Sequence, residues 1–280
     1  MKTIKRIKKY FPFLRAGMKT FLIYKASVFI WFLIWLVNIS FIFFLYKSLY
    51  ASSPSGPDSI INGFSFYEIV FYSIFVFAYS FTVGCSNTSE YISDDIKEGT
   101  IANTLLKPVS YRLRYLFTCL RTFFIQILVL GLPVITITYI LYIIYSGNSI
   151  DIFNIIFNFV LFLIFSIIGL IINDALGYFL GLMTFFTQHV FGLNLIREAL
   201  TNFLSGAMVP LSFMGVFGKV VSYLPFSYLG STPTLVLMNK LNGIDIFIFI
   251  GVGILWIVII EVINKLVFSS SMKKLVVQGG

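Results

Sequence analysis

The sequence predicts an all-α fold: a polytopic membrane protein with six transmembrane helices. Composition is the first reason, because 59% of the residues are hydrophobic and only 11% are charged, against about 25% charged in an average soluble domain. Second, several uncharged runs reach the roughly 20 residues that a helix needs to cross a bilayer. Third, the basic residues are grouped in a few segments, as the positive-inside rule requires. We therefore expect one transmembrane domain over residues 1–280.

The Lys and Arg residues also predict the orientation. Eight of the 20 lie in residues 1–25, five in residues 97–121 and three in residues 265–274. Because cytoplasmic loops carry the excess of positive charge, both termini and residues 89–110 are expected in the cytoplasm. The net charge of +9 then serves topology and contact with membrane lipids rather than nucleic acid. The high Phe, Ile, Tyr, Lys and Asn content favours an AT-rich, bacterial genome, so the expected location is a bacterial plasma membrane.

The N-terminal half alternates between basic, apolar and polar stretches. Residues 1–25 place apolar residues at helical spacing between Lys and Arg, which predicts an amphipathic helix on the membrane surface; a simple topology signal is the alternative. Residues 26–46 carry no charge and form the first predicted span. The second span covers residues 69–88, after a loop that contains Pro and Gly. Residues 89–110 follow, and the third span lies within residues 117–145.

The C-terminal half is divided less clearly. The fourth predicted span covers residues 152–186, with a bend near Asn173, Asp174 and Gly177. The fifth covers residues 191–209. Since both termini are expected on one side of the membrane, the number of spans must be even, and we favour six.

Residues 210–243 are interrupted by Pro and Gly too often for a regular span. We expect a re-entrant or interfacial hairpin on the outer side, where non-helical backbone is tolerated only if protein or water covers it. The sixth predicted span covers residues 246–268.

The segment 89–110, the polar segment, is the longest polar interruption of the chain and contains four of its eleven acidic residues. Its pattern is helical, because Ser93 is a suitable N-cap and the acidic pair after it suits the positive end of a helix dipole. Gly99 predicts a bend or two short helices, and Pro108 ends the second. An apolar stripe is formed by Ile92, Ile96, Ile101 and Leu105. A solvated loop is the alternative, but such a loop needs no apolar stripe.

The sequence contains no recognisable catalytic motif. Gly218 and Lys219 are followed by Val220 and lack the upstream glycine of a phosphate-binding loop, so nucleotide hydrolysis is expected on another chain. His189 is the only histidine, and no metal-ligand cluster is visible. It could sense pH, although a His in a polar turn is more often simply solvated. We therefore expect no enzymatic activity and no cofactor in this chain.

Charged residues inside predicted spans are costly and usually mark a pathway or a pair. Three such residues are Asp174, Arg197 and Glu198. Asp174 and Arg197 form a plausible pair between spans four and five, either structural or in contact with a substrate. Glu261 and Lys265 are one turn apart and are expected to form a local ion pair.

A small-residue motif, Gly177-x-x-x-Gly181, lies near the end of the fourth predicted span. Such motifs let helices approach closely. We expect packing at this point, either within the chain or across a dimer.

Three stretches resemble a known family. Glu-Gly-Thr-Ile at residues 98–101, followed by Leu-Leu-Lys-Pro-Val-Ser at residues 105–110, is similar to the cytoplasmic signature of permease subunits of ABC exporters for drugs, peptides and polysaccharides. Residues 203–211 with Leu-Pro-Phe at 224–226 resemble the end of the family's fifth span and its re-entrant element. The tail 274–280 resembles that of a subgroup of uncharacterised efflux permeases. The three motifs follow the family's order along the whole chain.

The resemblance implies the permease subunit of an ATP-driven exporter. The polar segment would be its coupling helix, docking on a separate cytoplasmic ABC ATPase subunit that holds ATP and Mg, and a second or related permease would complete the path. The residues implied in coupling and ATPase docking are Asp94, Asp95, Lys97, Glu98, Gly99, Thr100, Leu105, Leu106 and Pro108. Ala102 and Asn103 stand where the family has an acidic residue, so one docking contact departs from the family pattern.

Two other functions stay open on the residues alone. One is a non-transporting membrane sensor or assembly protein whose polar segment binds a regulator. The other is an ion-coupled secondary transporter that uses Asp174 and Arg197. An ATPase gene beside this one would favour the exporter, whereas transport by the purified chain in a proton gradient without an ATPase would exclude it.

Overall fold

The computed structural model describes residues 25–53, 59–84, 87–146, 152–187, 190–241 and 243–272. Over these residues the chain is helical and contains no β-strand; an isolated bridge pairs Ile61 with Phe64. The predicted all-α class is therefore confirmed. The predicted surface helix lies outside the described residues except for its last residue, Lys25. The tail from residue 273, Cys85 and His189 also lie outside them.

Eleven α-helices are described, and we number them in chain order. They are α1 (Lys25–Ala51), α2 (Phe66–Gly84), α3 (Thr88–Lys97), α4 (Ile101–Leu105), α5 (Tyr111–Gln126), α6 (Leu132–Ser146), α7 (Ile152–Leu182), α8 (Phe191–Leu204), α9 (Gly215–Val221), α10 (Ser231–Leu237) and α11 (Gly243–Met272). A π-helical turn, Ile127–Gly131, joins α5 to α6. Short 3₁₀ turns cover Met183–Phe185, Leu211–Met214 and Pro225–Leu229.

Three described stretches are long and apolar enough to cross a membrane. They are Phe66–Lys97, Ile152–Phe185 and Gly243–Met272, which correspond to the second, fourth and sixth predicted spans. Parts of α1 and α6 are shorter apolar helices, Leu36–Ala51 and Leu132–Tyr145. The helices support a polytopic membrane protein, while the count of six spans stays a prediction.

The third predicted span is a long helix with a π-helical turn inside it. It begins at Tyr111, earlier than predicted, where the Ser110 side chain accepts a hydrogen bond from the backbone N–H of Leu113. The π turn ends just before Pro133, which lacks an N–H and whose ring clashes with the carbonyl four residues earlier. Wider i→i+5 bonding relieves this clash, and the Leu132 N–H accordingly donates to the Ile127 carbonyl.

The fourth predicted span matches the structure closely. Helix α7 runs without interruption from Ile152 to Leu182, so the expected bend near Asn173 does not break its hydrogen bonding. The Asn173 side chain instead donates a 2.7 Å hydrogen bond to the Val83 carbonyl at the end of α2. Its polar group is therefore satisfied by a neighbouring helix.

The fifth predicted span is discontinuous. The sequence predicted one helix over residues 191–209, but α8 ends at Leu204 because Gly206 adopts a left-handed conformation, with φ +80°. The chain then leaves the line of α8, in a segment that we call the excursion. Helix α10 forms the second half of the discontinuous span. The Ser231 N–H donates a 2.7 Å bond to the Ser205 carbonyl, which joins the two half-helices.

Contacts of α8 with α3 and of the residues after α10 with α2 show how the two half-helices cross the bundle. Asn194 of α8 lies against Ser89 of α3. Lys240, shortly after α10, pairs at 2.8 Å with Glu68 at the start of α2, which is at the opposite end of the bundle. Together α8 and α10 therefore run from the end that carries α3 and α4, here the polar end, to the opposite end. The excursion, residues 206–229, connects the two half-helices, and its predicted position on the outer side stays a prediction.

Side chains of neighbouring helices cover the irregular backbone of this region. Four hydrogen bonds to carbonyl groups of the excursion come from Tyr72 to Gly206 (3.2 Å), Tyr79 to Tyr228 (3.0 Å), Ser80 to Leu229 (3.1 Å) and Trp256 to Tyr223 (2.8 Å). A fifth, from Tyr142, reaches the Met238 carbonyl at the end of α10 (3.3 Å). These side chains supply hydrogen bonds of the kind that non-helical backbone at membrane depth needs.

Candidate functional site

The polar segment folds into two short helices, as predicted. Helices α3 and α4 are separated by Gly99, whose φ of +71° favours glycine. The predicted cap is wrong, because α3 begins at Thr88 after Asn87 and Ser93 lies buried inside the helix. Pro108 lies beyond the end of α4 at Leu105, as expected.

The apolar stripe of the polar segment faces the bundle. Ile92 and Ile101 are fully buried, and Ile96 and Leu105 are partly buried in the same cluster. The remaining buried members of this cluster are Tyr111, Tyr115, Tyr178 and Leu182. The stripe therefore anchors α3 and α4 to α5 and α7, which excludes a loosely solvated loop.

Helix α3 packs against α7 at the Gly177-x-x-x-Gly181 motif. A Cβ atom added at Gly181 would lie 2.7 Å from the Ile92 Cβ, and one at Gly177 would lie 3.5 Å from the Thr88 Cβ. The absence of a side chain at both positions lets α3 lie directly on α7. The motif is thus used for packing within the chain.

Gly181→Val is expected to lift α3 away from α7, because the new side chain overlaps Ile92. Overpacking of this kind costs about 1–3 kcal/mol. Hydrogen exchange of the α3 amides should increase, while that of α11 stays unchanged. Gly192→Val is the matched control, since nothing lies within 4 Å of a Cβ added at that glycine. Equal exchange of α3 in both variants would contradict this packing role.

Asp95 connects the three helices at the polar end. Its carboxylate accepts hydrogen bonds from the hydroxyl groups of Tyr115 and of Thr100, the latter at 3.0 Å. Arg114 lies 3.4 Å from the same carboxylate and donates a 3.0 Å bond to the Thr104 hydroxyl. Asp95 therefore holds α3, α4 and α5 together.

The outer side of α3 and α4 is exposed. Among the nine residues predicted to couple and dock, Asp95, Thr100 and Leu105 are half-buried. The exposed residues are Asp94, Lys97, Glu98, Gly99, Leu106 and Pro108. Leu106 is the most exposed large apolar side chain in the described residues, at 84%. We call these six residues the exposed tip.

A charge cluster centred on the buried Asp174 connects α5, α7 and α11. Arg112, the second residue of α5, forms ion pairs with Asp174 of α7 and, at 2.6 Å, with Glu261 of α11. The guanidinium also lies 4.9 Å from the Tyr178 ring centroid. Asp174 is fully buried, and its second oxygen accepts a 2.6 Å hydrogen bond from the Thr88 hydroxyl. We call Arg112, Asp174, Glu261 and Thr88 the Arg112 cluster.

Both carboxylates thus have a partner that the sequence did not predict. Asp174 was expected to pair with Arg197, and Glu261 with Lys265; the structure gives both carboxylates to Arg112. Arg112 follows the polar segment, and its position at the start of a helix was the only available signal. The two carboxylates are 62 and 149 residues away from it in the sequence.

Arg197 and Glu198 lie on α8, close to the cluster but outside it. The Nη1 atom of Arg197 is buried and has no hydrogen-bond partner among the described residues. Electrostatic interactions reach Arg197 from Glu198, Glu90 and Asp174. Glu198 is exposed, so the Arg197 side chain is directed into the bundle and the Glu198 side chain lies on its surface.

Comparison with known families gives the site its context. A family model described as ABC-2 family transporter protein matches residues 36–279. The chain belongs to this family. The resemblance drawn from the three motifs is therefore confirmed at the level of the family, without a subgroup. Comparisons with curated proteins and with solved structures found no match.

Membership in the ABC-2 transporter family, together with the long apolar helices, supports a multi-pass membrane permease. It also implies a partnership with ABC ATPase subunits in general. Within the described part of this ABC-2 transporter, no group of His, Cys, Asp or Glu could hold a metal ion.

Proposed function

We propose that the chain is the membrane-spanning permease subunit of an ATP-driven exporter in the bacterial plasma membrane. Its exposed tip docks on a separate cytoplasmic ATPase subunit, which holds ATP and Mg. The observation that carries this proposal is the two-sided build of α3 and α4. One side presents Leu106 and charged residues to the surroundings, while the other is fixed to three long helices through Ile92, Asp95 and the Arg112 cluster.

A push on the exposed tip has a short path into the bundle. Helix α4 leads into α5 through the Ser110 cap, and Arg112 follows two residues later. Its guanidinium binds carboxylates on α7 and α11, so the polar ends of α5, α7 and α11 move as one unit. Coupling in a transporter requires such a connected element whose states differ in affinity for the partner.

A second permease, identical or related, completes the path in this proposal. Helix α8 has no buried side chain, although it forms half of the discontinuous span. Its exposed apolar residues include Phe191, Leu195, Ile196, Leu200 and Phe203. The exposed carboxylate of Glu198 in the same helix is costly against lipid, which favours a protein partner or a water-filled path on this side. Both termini are cytoplasmic in this arrangement.

Leu106→Asp tests the docking role without disturbing the core. A single anchor residue at an interface contributes about 2 kcal/mol or more, so affinity for the ATPase should fall at least tenfold. The measurement is co-purification and titration of the candidate ATPase subunit against the permease in nanodiscs. Because Leu106 is exposed, the melting temperature of the variant should match that of the wild type.

Ile60→Asp is the matched control, since Ile60 is 73% exposed and lies in the loop before α2, at the opposite end of the bundle. It should bind the ATPase with unchanged affinity. Equal affinity of wild type, Leu106→Asp and Ile60→Asp would overturn docking through the exposed tip. Cys introduced at Lys97 should cross-link to the ATPase, and cross-linking only from the loop before α2 would reverse the proposed orientation.

A further inference from the structure

The Lys240 side chain connects two parts of the chain at the end of the bundle opposite the polar end. Its ammonium group pairs with the Glu68 carboxylate at 2.8 Å and donates a 2.8 Å hydrogen bond to the Gly63 carbonyl. The same group lies 4.5 Å from the centroid of the Phe64 ring, within the range of a cation–π interaction. Three contacts of different kinds therefore surround one ammonium group.

The turn that receives this ammonium group is built without it. Residues 61–64, which we call the α2 turn, exchange two 3.0 Å backbone hydrogen bonds between their first and last members. The central residues, Asn62 and Gly63, both have positive φ, +49° and +84°, as a type I′ turn requires. The Tyr50 hydroxyl, near the end of α1, donates a 2.7 Å bond to the Phe64 carbonyl. The α2 turn is therefore fixed by its own backbone and by α1.

The Glu68 carboxylate is also oriented by its own neighbourhood. Its Oε2 atom accepts a 2.9 Å hydrogen bond from the Ser65 N–H, and the Glu68 N–H donates a 3.4 Å bond back to the Ser65 hydroxyl. Such a reciprocal pair is a capping box at the start of a helix, here α2. The other oxygen, Oε1, faces Lys240, so the capping box directs the carboxylate toward the lysine.

The backbone of Lys240 is fixed by the end of α10. The Asn239 N–H donates a 3.0 Å bond to the Val236 carbonyl, and the Lys240 N–H donates a 2.9 Å bond to the Leu235 carbonyl. With Asn239 at φ +55°, these two bonds form a Schellman motif, the common left-handed end of a helix. The Lys240 side chain, a flexible four-carbon stem, then reaches from this helix end to the α2 turn.

We propose that Lys240 is a latch that holds the α2 turn against the end of the discontinuous span. Two preformed parts are joined by one flexible charged side chain, so its release separates them without unfolding either. The Lys240 and Glu68 side chains are each 21% exposed, so water replaces their contacts when the latch opens. In the proposed exporter this is the outer end, where the latch closes the exit of the path; that role rests on the proposed function.

Lys240→Met tests the latch in the permease alone. Methionine keeps an unbranched stem but carries no charge for Glu68. The readout is the distance between spin labels at Ile60→Cys, beside the α2 turn, and Ile244→Cys, at the start of α11, both 73% exposed, after replacement of the two native cysteines by alanine. Hydrogen bonds to charged groups shift an equilibrium about tenfold or more, so a longer-distance population in nanodiscs should grow by about that factor.

Three further variants show whether the charge pair is the cause. Glu68→Gln should give the same longer distances, because its amide oxygen still accepts from the Ser65 N–H but carries no charge. The double variant should match either single variant, since residues that act through one contact are not additive. Lys47→Met is the matched control: it removes an exposed cation near the end of α1 and should keep the wild-type distances.

Two results would overturn the latch. One is a Lys240→Met distribution equal to that of the wild type. The other is a larger change in the double variant than in either single variant, which would mean that the two residues act separately. Hydrogen exchange of the α3 amides, at the polar end, should stay at the wild-type rate in every variant, which shows that the bundle is folded.

These distances are measured without the ATPase, so they separate the latch from the proposed function. If Lys240→Met opens the turn while the wild type binds no ATPase, the latch stands and the proposed exporter fails. With the ATPase docked, addition of ATP should enlarge the longer-distance population of the wild type. Distances that ATP leaves unchanged, in a permease that binds its ATPase, would overturn the role of the latch at the exit of the path.

Discussion

Arg112→Ala should lower the free energy of unfolding by about 3–5 kcal/mol, the usual cost of leaving a buried charge without its partner. Asp174 is fully buried and would lose the guanidinium that pairs with it. Glu261 is 35% exposed and can recover water, so most of the loss comes from Asp174. Thermal unfolding of the purified protein in detergent should show a large fall in melting temperature.

Arg114→Ala is the control for this prediction, because it removes an arginine two residues away on the same helix. Arg114 makes a 3.4 Å pair with Asp95, and both side chains are partly exposed. Such pairs contribute about 1 kcal/mol or less. Arg112→Met combined with Asp174→Leu should recover much of the stability, since apolar replacement of a buried pair is often neutral. Similar melting of Arg112→Ala and Arg114→Ala would show that the cluster is not a structural centre.

Gly169→Ala should also be strongly destabilising, although it adds one methyl group. That methyl would overlap the Tyr228 carbonyl oxygen and the Tyr79 hydroxyl, which are bonded to each other. A backbone atom cannot turn aside as a side chain can, so we expect the upper part of the 1–3 kcal/mol range for overpacking. The melting temperature should fall, and Trp256, which bonds the Tyr223 carbonyl, should report a changed fluorescence.

Gly251→Ala is the matched control for Gly169→Ala. It also lies in a long helix, α11, and nothing is within 4 Å of the added Cβ. Alanine favours a helix over glycine by about 1 kcal/mol, so this variant should be as stable as the wild type or more so. A Gly169→Ala protein as stable as Gly251→Ala would mean that the contact between α7 and the excursion is not required.

Features with a local cause could be predicted from the sequence. The runs around α2, α7 and α11 were found because their length and apolar composition are sufficient signals. The break at Gly99 follows from the backbone freedom of that residue alone. The inward stripe from Ile92 to Leu105 follows from helical spacing. In each case the information lies within about 20 neighbouring residues.

Features that depend on tertiary contacts could not be predicted. Asp174 was assigned to Arg197 because both were charged and in consecutive predicted spans, yet Arg112 lies nearer in the folded bundle. Residues 191–209 have the composition of a span, but Gly206 ends the helix at a point where Tyr72 and Ser231 leave no room for a side chain. Asp95 was expected on the docking surface, and its contacts with Tyr115 and Arg114 of α5 could not be read from the sequence.

The hydrogen bonds that cover the excursion constrain the order in which the protein is assembled in the membrane. Trp256, which bonds the Tyr223 carbonyl, and Phe249, whose carbonyl accepts from the Tyr228 hydroxyl, both belong to α11. This helix leaves the ribosome after the excursion has already been synthesised. Until α11 arrives, the irregular backbone around Tyr223 lacks a donor that the hydrocarbon core cannot replace. We therefore expect the excursion to wait at the membrane surface or in the translocon and to enter the bundle only together with the last helix.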